Sequence, residues 1–150
     1  NIISLRTLRL CGKIKKENSM SNKIIEETKF YSFVFSEKDA TLIFNWKNII
    51  EISNNDFKDY VTKYANYCLE YRPKIAAIDV REFKADLDFN VQEWWMEEIV
   101  PIYNKAEIEI FGYVTGDPTA PGVSDQAPPG VHFKMGFFKD IDSLLKWKKA

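Results

Sequence analysis

The chain has 150 residues, 45% hydrophobic, 15% aromatic and 29% charged, with a formal net charge of −1. A chain of this length makes about one domain and buries roughly 70% of its unfolded surface, so neither a disulfide nor a metal is required for folding. The near-neutral charge argues against nucleic acid as a partner, and no run of about 18 apolar residues marks a membrane-spanning helix.

Charge is unevenly spread. Residues 1–19 hold Arg6, Arg9, Lys13, Lys15 and Lys16 against Glu17, a net of +4, which leaves −5 for the rest. This front segment is too short and too charged for a secretory leader, and Met20 stands directly before an ordinary domain start. Residues 1–19 are therefore expected to be a disordered or upstream-translated tail, and residues 20–150 a single domain. Cys11 and Cys68 lie in different contexts without CxxC spacing, which fits a reducing, cytoplasmic setting.

Lys29–Phe35 is aromatic and β-branched and reads as a strand, with Ser36–Asp39 as a turn and Ala40–Trp46 as its hairpin partner. Ser53 followed three residues later by Asp56 marks a helix start. Phe57, Tyr60, Val61, Tyr64, Ala65, Cys68 and Leu69 then recur at helical spacing, and Cys68 on that stripe reads as a core residue. Arg72-Pro73 ends the helix. Residues 74–81 form a near-continuous apolar run, as expected for a buried strand covered by helices.

Asn90, with Glu93 three residues on, caps a second helix whose apolar face carries Val91, Trp94, Trp95, Ile99, Ile102 and Tyr103. Pro101 should kink that helix or restart it in a new first turn. Glu107–Val114 reads as a strand. Residues 115–130, with three prolines after Pro118 and several glycines, are expected to lack regular structure. Val131–Phe138 alternates as a last strand, and Asp140 caps a terminal helix whose Lys146, Lys148 and Lys149 suit its C-terminal dipole. The order ββαβαβ-loop-βα predicts an α/β fold, a single mixed sheet of about five strands with helices packed on it.

An aromatic hairpin ending in Trp46, the helix capped at Ser53, Ile78-Asp79-Val80-Arg81-Glu82-Phe83, Trp94, and Phe137-Phe138-Lys139-Asp140 before Trp147 together resemble the STAS family. The likeness is to small stand-alone SpoIIAA-like (STAS/SEC14-type) bacterial proteins, and it covers about residues 28–149. The resemblance implies a non-enzymatic regulatory module, switched in the anti-sigma-factor antagonists by phosphorylation of a Ser at the helix start after the central strand. Between Val80 and Trp95 this chain has no Ser or Thr, and Asp86 and Asp88 stand there instead. A phosphoryl group has no hydroxyl to occupy, and the acidic pair would repel one.

Asp79 and Arg81 share one strand face and can pair at the strand's C-terminal end, where open α/β sheets form ligand crevices; a structural ion pair is the plainer reading. His132, the only histidine, has no clustered Cys or carboxylate partner for a zinc site or a triad. Asp117 and Asp125 lie in the Pro/Gly loop with nothing to fix their separation. The glycines make no phosphate-binding pattern. Trp94 and Trp95 cannot both face the core, being 100° apart on a helix, so one of them, or Trp147, is expected to line a groove or interface.

Three functions follow. The first is a STAS-like module contacting a protein partner, or a second copy of itself, through the edge of strand 74–81, Trp94 or Trp95, and the 115–130 loop. The second is a SEC14-like binder of a small apolar or lipid ligand, suggested by Phe30, Phe33, Phe35, Phe44 and Trp46. The third is a hydrolase using Asp79 and His132. No cofactor or metal is expected.

Overall fold

The computed structural model describes residues 22–124 and 127–149; the expected tail at 1–19 and Asp125 lie outside them. One mixed sheet is built from β1 (Asn22–Glu27), β2 (Tyr31–Ser36), β3 (Thr41–Trp46), β4 (Ile75–Asp79), β5 (Ile110–Val114), β6 (Gly122–Ser124) and β7 (Lys134–Phe138). Their spatial order is β1-β2-β3-β4-β5-β7-β6. The three N-terminal strands are antiparallel, β3, β4, β5 and β7 run parallel, and β6 returns antiparallel along β7.

The α/β class holds, with seven strands among the described residues where about five were expected. Two strands account for the difference. β1 pairs with β2 through an irregular register between Ile24 and Glu26, a bulge of the kind that blunts an edge strand. β6 lies inside the Pro/Gly segment expected to lack structure, which is a correction. Its backbone is recruited by the otherwise open edge of β7, from Gly122 opposite Phe137 to Ser124 opposite Met135. A second correction concerns β4: it is paired on both sides, by β3 and by β5, so residues 74–81 present no edge to a partner.

The helices start where their capping residues predict. Helix α1 (Asn54–Tyr71) begins with Ser53 accepting from the Asp56 N–H at 3.0 Å and ends at Arg72, which adopts the left-handed conformation before Pro73. Helix α2 (Val91–Trp94) begins with Asn90 accepting from the Glu93 N–H at 3.0 Å. It runs into a π turn at Trp95–Ile99 and then α3 (Val100–Ala106), with Pro101 in the first turn. Pro101 has no N–H to donate back along the helix, and the ladder adjusts by one residue: the Val100 N–H bonds the Trp95 carbonyl. Helix α4 (Ile141–Lys149) begins with Asp140 accepting from the Ser143 N–H at 2.8 Å.

Period two along the strands divides the core between the two sheet faces. On one face Phe33, Phe44, Ala76, Ile78 and Phe111 pack with Val61, Tyr64 and Cys68 of α1 and with Trp95 and Tyr103 from the helical run after Asn90. The Tyr64 hydroxyl reaches into the sheet itself, donating to the Leu42 carbonyl at 2.6 Å and accepting from the Ala77 N–H at 3.0 Å. On the other face Ile75, Ala77, Ile110 and Phe138 are covered by Leu144 of α4. Gly112 makes room for that helix, because a Cβ there would sit 3.1 Å from a Leu144 methyl. Burial pushes the Cys68 thiol well above its ordinary range, consistent with its core role. Among the described residues no helix is long and apolar enough to cross a membrane.

Candidate functional site: two hollows at the C-terminal ends of the parallel strands

The parallel strands end together at Trp46, Asp79 and Val114, and a hollow lies on each side of the sheet there. The first is polar, about 440 Å³, and is bordered by Asn45, Lys47, Asp79, Arg81 and Glu82. Asp79 is 8% exposed. Its carboxylate accepts from the Arg81 backbone N–H at 3.1 Å, from Nε at 3.0 Å and from Nη2 at 2.6 Å. The hydrogen bonds to Asp79 raise the Arg81 pKa above its ordinary value, against a smaller opposing effect of burial. The two residues meet as the sequence predicts, and they satisfy one another. The Arg81 stem also lies against Gly116, whose φ of +81° and closeness to the Arg81 methylenes, 3.3 Å from any added Cβ, suit glycine.

The second hollow is a half-open apolar crevice of about 220 Å³ on the opposite face. Its floor is Trp46 at the end of β3, Ile78 on β4, Val80 just past that strand's end, and Tyr113 on β5. Phe57 and Val61 of α1 form one wall, and Val91 and Trp95 form the other, with Phe83 and Leu87 from the connecting loop. That loop is held in place by backbone. Ile49 donates to the Glu82 carbonyl at 2.9 Å and accepts from the Lys84 N–H at 2.7 Å, so Phe83 is pinned beside Ile49. Trp46 stacks parallel to Phe57 at 5.7 Å and meets Phe83 edge-on at 4.9 Å.

Trp95 is 5% exposed, and its indole N–H is buried without a hydrogen-bond partner. Its ring packs against Tyr103 and Phe111 at 6.1 and 5.4 Å on the core side. The Tyr103 hydroxyl is likewise buried and unpaired. Burial raises the Tyr113 phenol to about 12, so it stays protonated across the neutral range.

The remaining sequence-predicted residues have local roles. Asp88 accepts from the Asn54 side chain at 2.5 Å, tying the loop to the start of α1, while Asp86 is exposed. Trp94 is half-buried against Phe57 and Phe89, each at 6.0 Å, and Trp95 is the member of the pair that lines the crevice. Asp117 accepts from the backbone and hydroxyl of Thr119 at 2.8 and 2.7 Å; those bonds close a surface turn and hold its carboxyl below the ordinary value. His132 is exposed, its backbone N–H donating to the Asn104 side chain at 3.0 Å.

Asp79 and His132 do not approach one another. Asp79 lies level with Val114 and thus with Phe138, six residues beyond His132. At about 3.3 Å per residue that places them roughly 20 Å apart along the sheet. Sequence reasoning missed Asn104, whose side chain holds both Gly130 and His132, and it missed the crevice as an assembled object. No group of three His, Cys, Asp or Glu side chains suited to a metal ion occurs among the described residues. No family model, curated protein or solved structure matches this chain.

Proposed function

We propose that this domain is a non-catalytic binding module that takes a compact apolar molecule in the crevice between Trp46, Phe57 and Trp95. The observation that carries the reading is the crevice's composition: every residue lining it is uncharged and most are hydrocarbon or aromatic. Ligand sites are concave, mostly apolar and placed at the C-terminal ends of parallel strands, as this one is. Its volume sets the size of the occupant. An apolar cavity of about 150 Å³ is enough for benzene, while drug-sized ligands occupy roughly 300–1,000 Å³. A single-ring molecule fits; a full acyl chain does not.

This reading keeps the non-enzymatic role that the STAS resemblance implies and puts binding in the cleft instead of along strand 74–81. Asp79 and His132 stand at opposite ends of the sheet, which speaks against a hydrolytic pair made of those two residues.

Titration with ethylbenzene, followed by NMR, tests it. Saturable shifts centred on the indoles of Trp46 and Trp95 are expected, and filling the crevice with Val91→Phe should remove them without unfolding the protein. Shifts scattered elsewhere, or equal binding by the filled variant, would overturn the reading.

A further inference from the structure

The crevice read above as the binding site has one wall that is held differently from the rest. Along residues 82–90 burial alternates with a period of two. Phe83, Ala85, Leu87 and Phe89 are half-buried, and the residue on either side of each is exposed and polar or charged. The segment is an extended strap with an apolar underside.

Its two halves are anchored unequally. Phe83 and Ala85 pack against the main core, and the bonds to Ile49 fix the backbone on both sides of Phe83. Past that point the anchoring stops. Among the described residues, nothing hydrogen-bonds the backbone of residues 85–89. Leu87 and Phe89 lie outside the core cluster. Phe89 meets Phe57 and Trp94 edge-on at 6.1 and 6.0 Å, and Leu87 lies against the crevice itself, so lifting it gives up little packing. The polar contact that closes this half is the Asn54 side chain donating to Asp88 at 2.5 Å across exposed surface. Segments with few buried apolar contacts and unprotected backbone sit at the low-stability end of a fold, from which the lids of binding sites are drawn.

We infer that, with the crevice as the binding site, residues 86–89 are its lid and the Asn54–Asp88 bond is the latch that holds the lid shut. Both ends of the lid are fixed, Ala85 by its place against the core and Asn90 by capping the next helix. A latch outside the crevice acts on opening and leaves the fit of the occupant alone. Breaking it therefore speeds entry and exit together. An exposed hydrogen bond shifts such an opening equilibrium by about two- to tenfold.

Exchange of ethylbenzene, followed by NMR relaxation dispersion at the Trp46 and Trp95 indoles, tests the lid. Asn54→Ala and Asp88→Ala remove opposite halves of the latch, and neither residue lines the crevice. Each should raise the association and dissociation rates by about threefold or more, with the dissociation constant unchanged within about twofold. The double variant should do no more than either alone; additive effects would make the two residues separate contacts and overturn the latch. Unchanged rates in either variant overturn the lid and leave the crevice standing as a site. Faster dissociation matched by an equal loss of affinity also overturns it, because the pair would then support the bound state and not the opening. Failure of ethylbenzene to bind the unaltered protein overturns the crevice, and the lid with it.

Discussion

The two hollows at the ends of the parallel strands differ in what their polar atoms have already found. On the Asp79 side, charge is conspicuous and fully engaged: Arg81 grips Asp79 through three nitrogens, and its stem braces the turn at Gly116. On the Trp95 side, charge is missing and one donor is unengaged. The carboxylate and guanidinium that draw attention in the sequence hold the fold together. The aromatic residues that look like ordinary core frame the apolar crevice proposed above as the binding site.

The comparison breaks most decisively at Trp95. Trp95→Ala should destabilise the fold by about 3–5 kcal/mol, as for a large aromatic removed from a core. Trp94→Ala should cost about 1 kcal/mol, since that ring is half-buried and loses mainly its edge contacts with Phe57 and Phe89. Chemical denaturation of both variants measures the difference. Equal costs would mean that the π turn does not separate a core tryptophan from a peripheral one.

Much of the fold is legible in the sequence because its signals are local. Ser53, Asn90 and Asp140 each precede the helix they cap by the expected spacing, and the apolar run at 75–79 marks the central strand. What escapes is set by distant contacts. Strand β1 reads as mixed polarity, and it is secured by Lys63 and Tyr67, which bond Glu26 from 37 and 41 residues away. Strand β6 forms from a Gly/Pro stretch whose composition predicts none, because β7 offers a free ladder. The crevice is hidden for a similar reason: its walls come from β3, α1, β4, the following loop, the second helix and β5, and each lining residue alone reads as core. The missing partner of the Trp95 N–H is a property of the assembled packing, and no residue pattern announces it.

On the polar side, Arg81→Ala should cost about 1–2 kcal/mol. A charge-assisted hydrogen bond is worth roughly 1.5–3 kcal/mol, but water replaces part of it where Arg81 is 47% exposed. The buried Asp79 carboxylate then loses most of its donors, so Asp79→Asn made in the same background should recover part of the loss. A double-mutant cycle reads the coupling. If Arg81→Ala also abolishes probe binding in the apolar crevice, the two hollows are one site and the contrast drawn between them fails.

The smallest expected effect lies at the sheet edge, where another self-satisfied network can be titrated. Glu26 accepts from Tyr31 and, at 3.0 Å each, from Lys63 and Tyr67. Burial alone would raise its pKa, and the three donors outweigh that and hold it below the ordinary 4.5. A carboxyl lowered on folding stabilises the native state above its unfolded pKa and loses that contribution as pH falls through its folded one. Tyr31 behaves in the opposite sense: burial first, and the bond to Glu26 second, raise its phenol to about 12. Its stabilising share is complete below the unfolded pKa of 10 and fades as pH rises from there toward 12. Protection of the β1 amides, read as the exchange rate relative to an unstructured amide at the same pH, should therefore be greatest between these limits and fall on both sides, by an amount on the order of 0.5 kcal/mol for a partly exposed network. Glu26→Gln should flatten the acid side and leave the exchange of β4 and β5 unchanged, because the edge strand opens without disturbing the parallel core that carries both hollows.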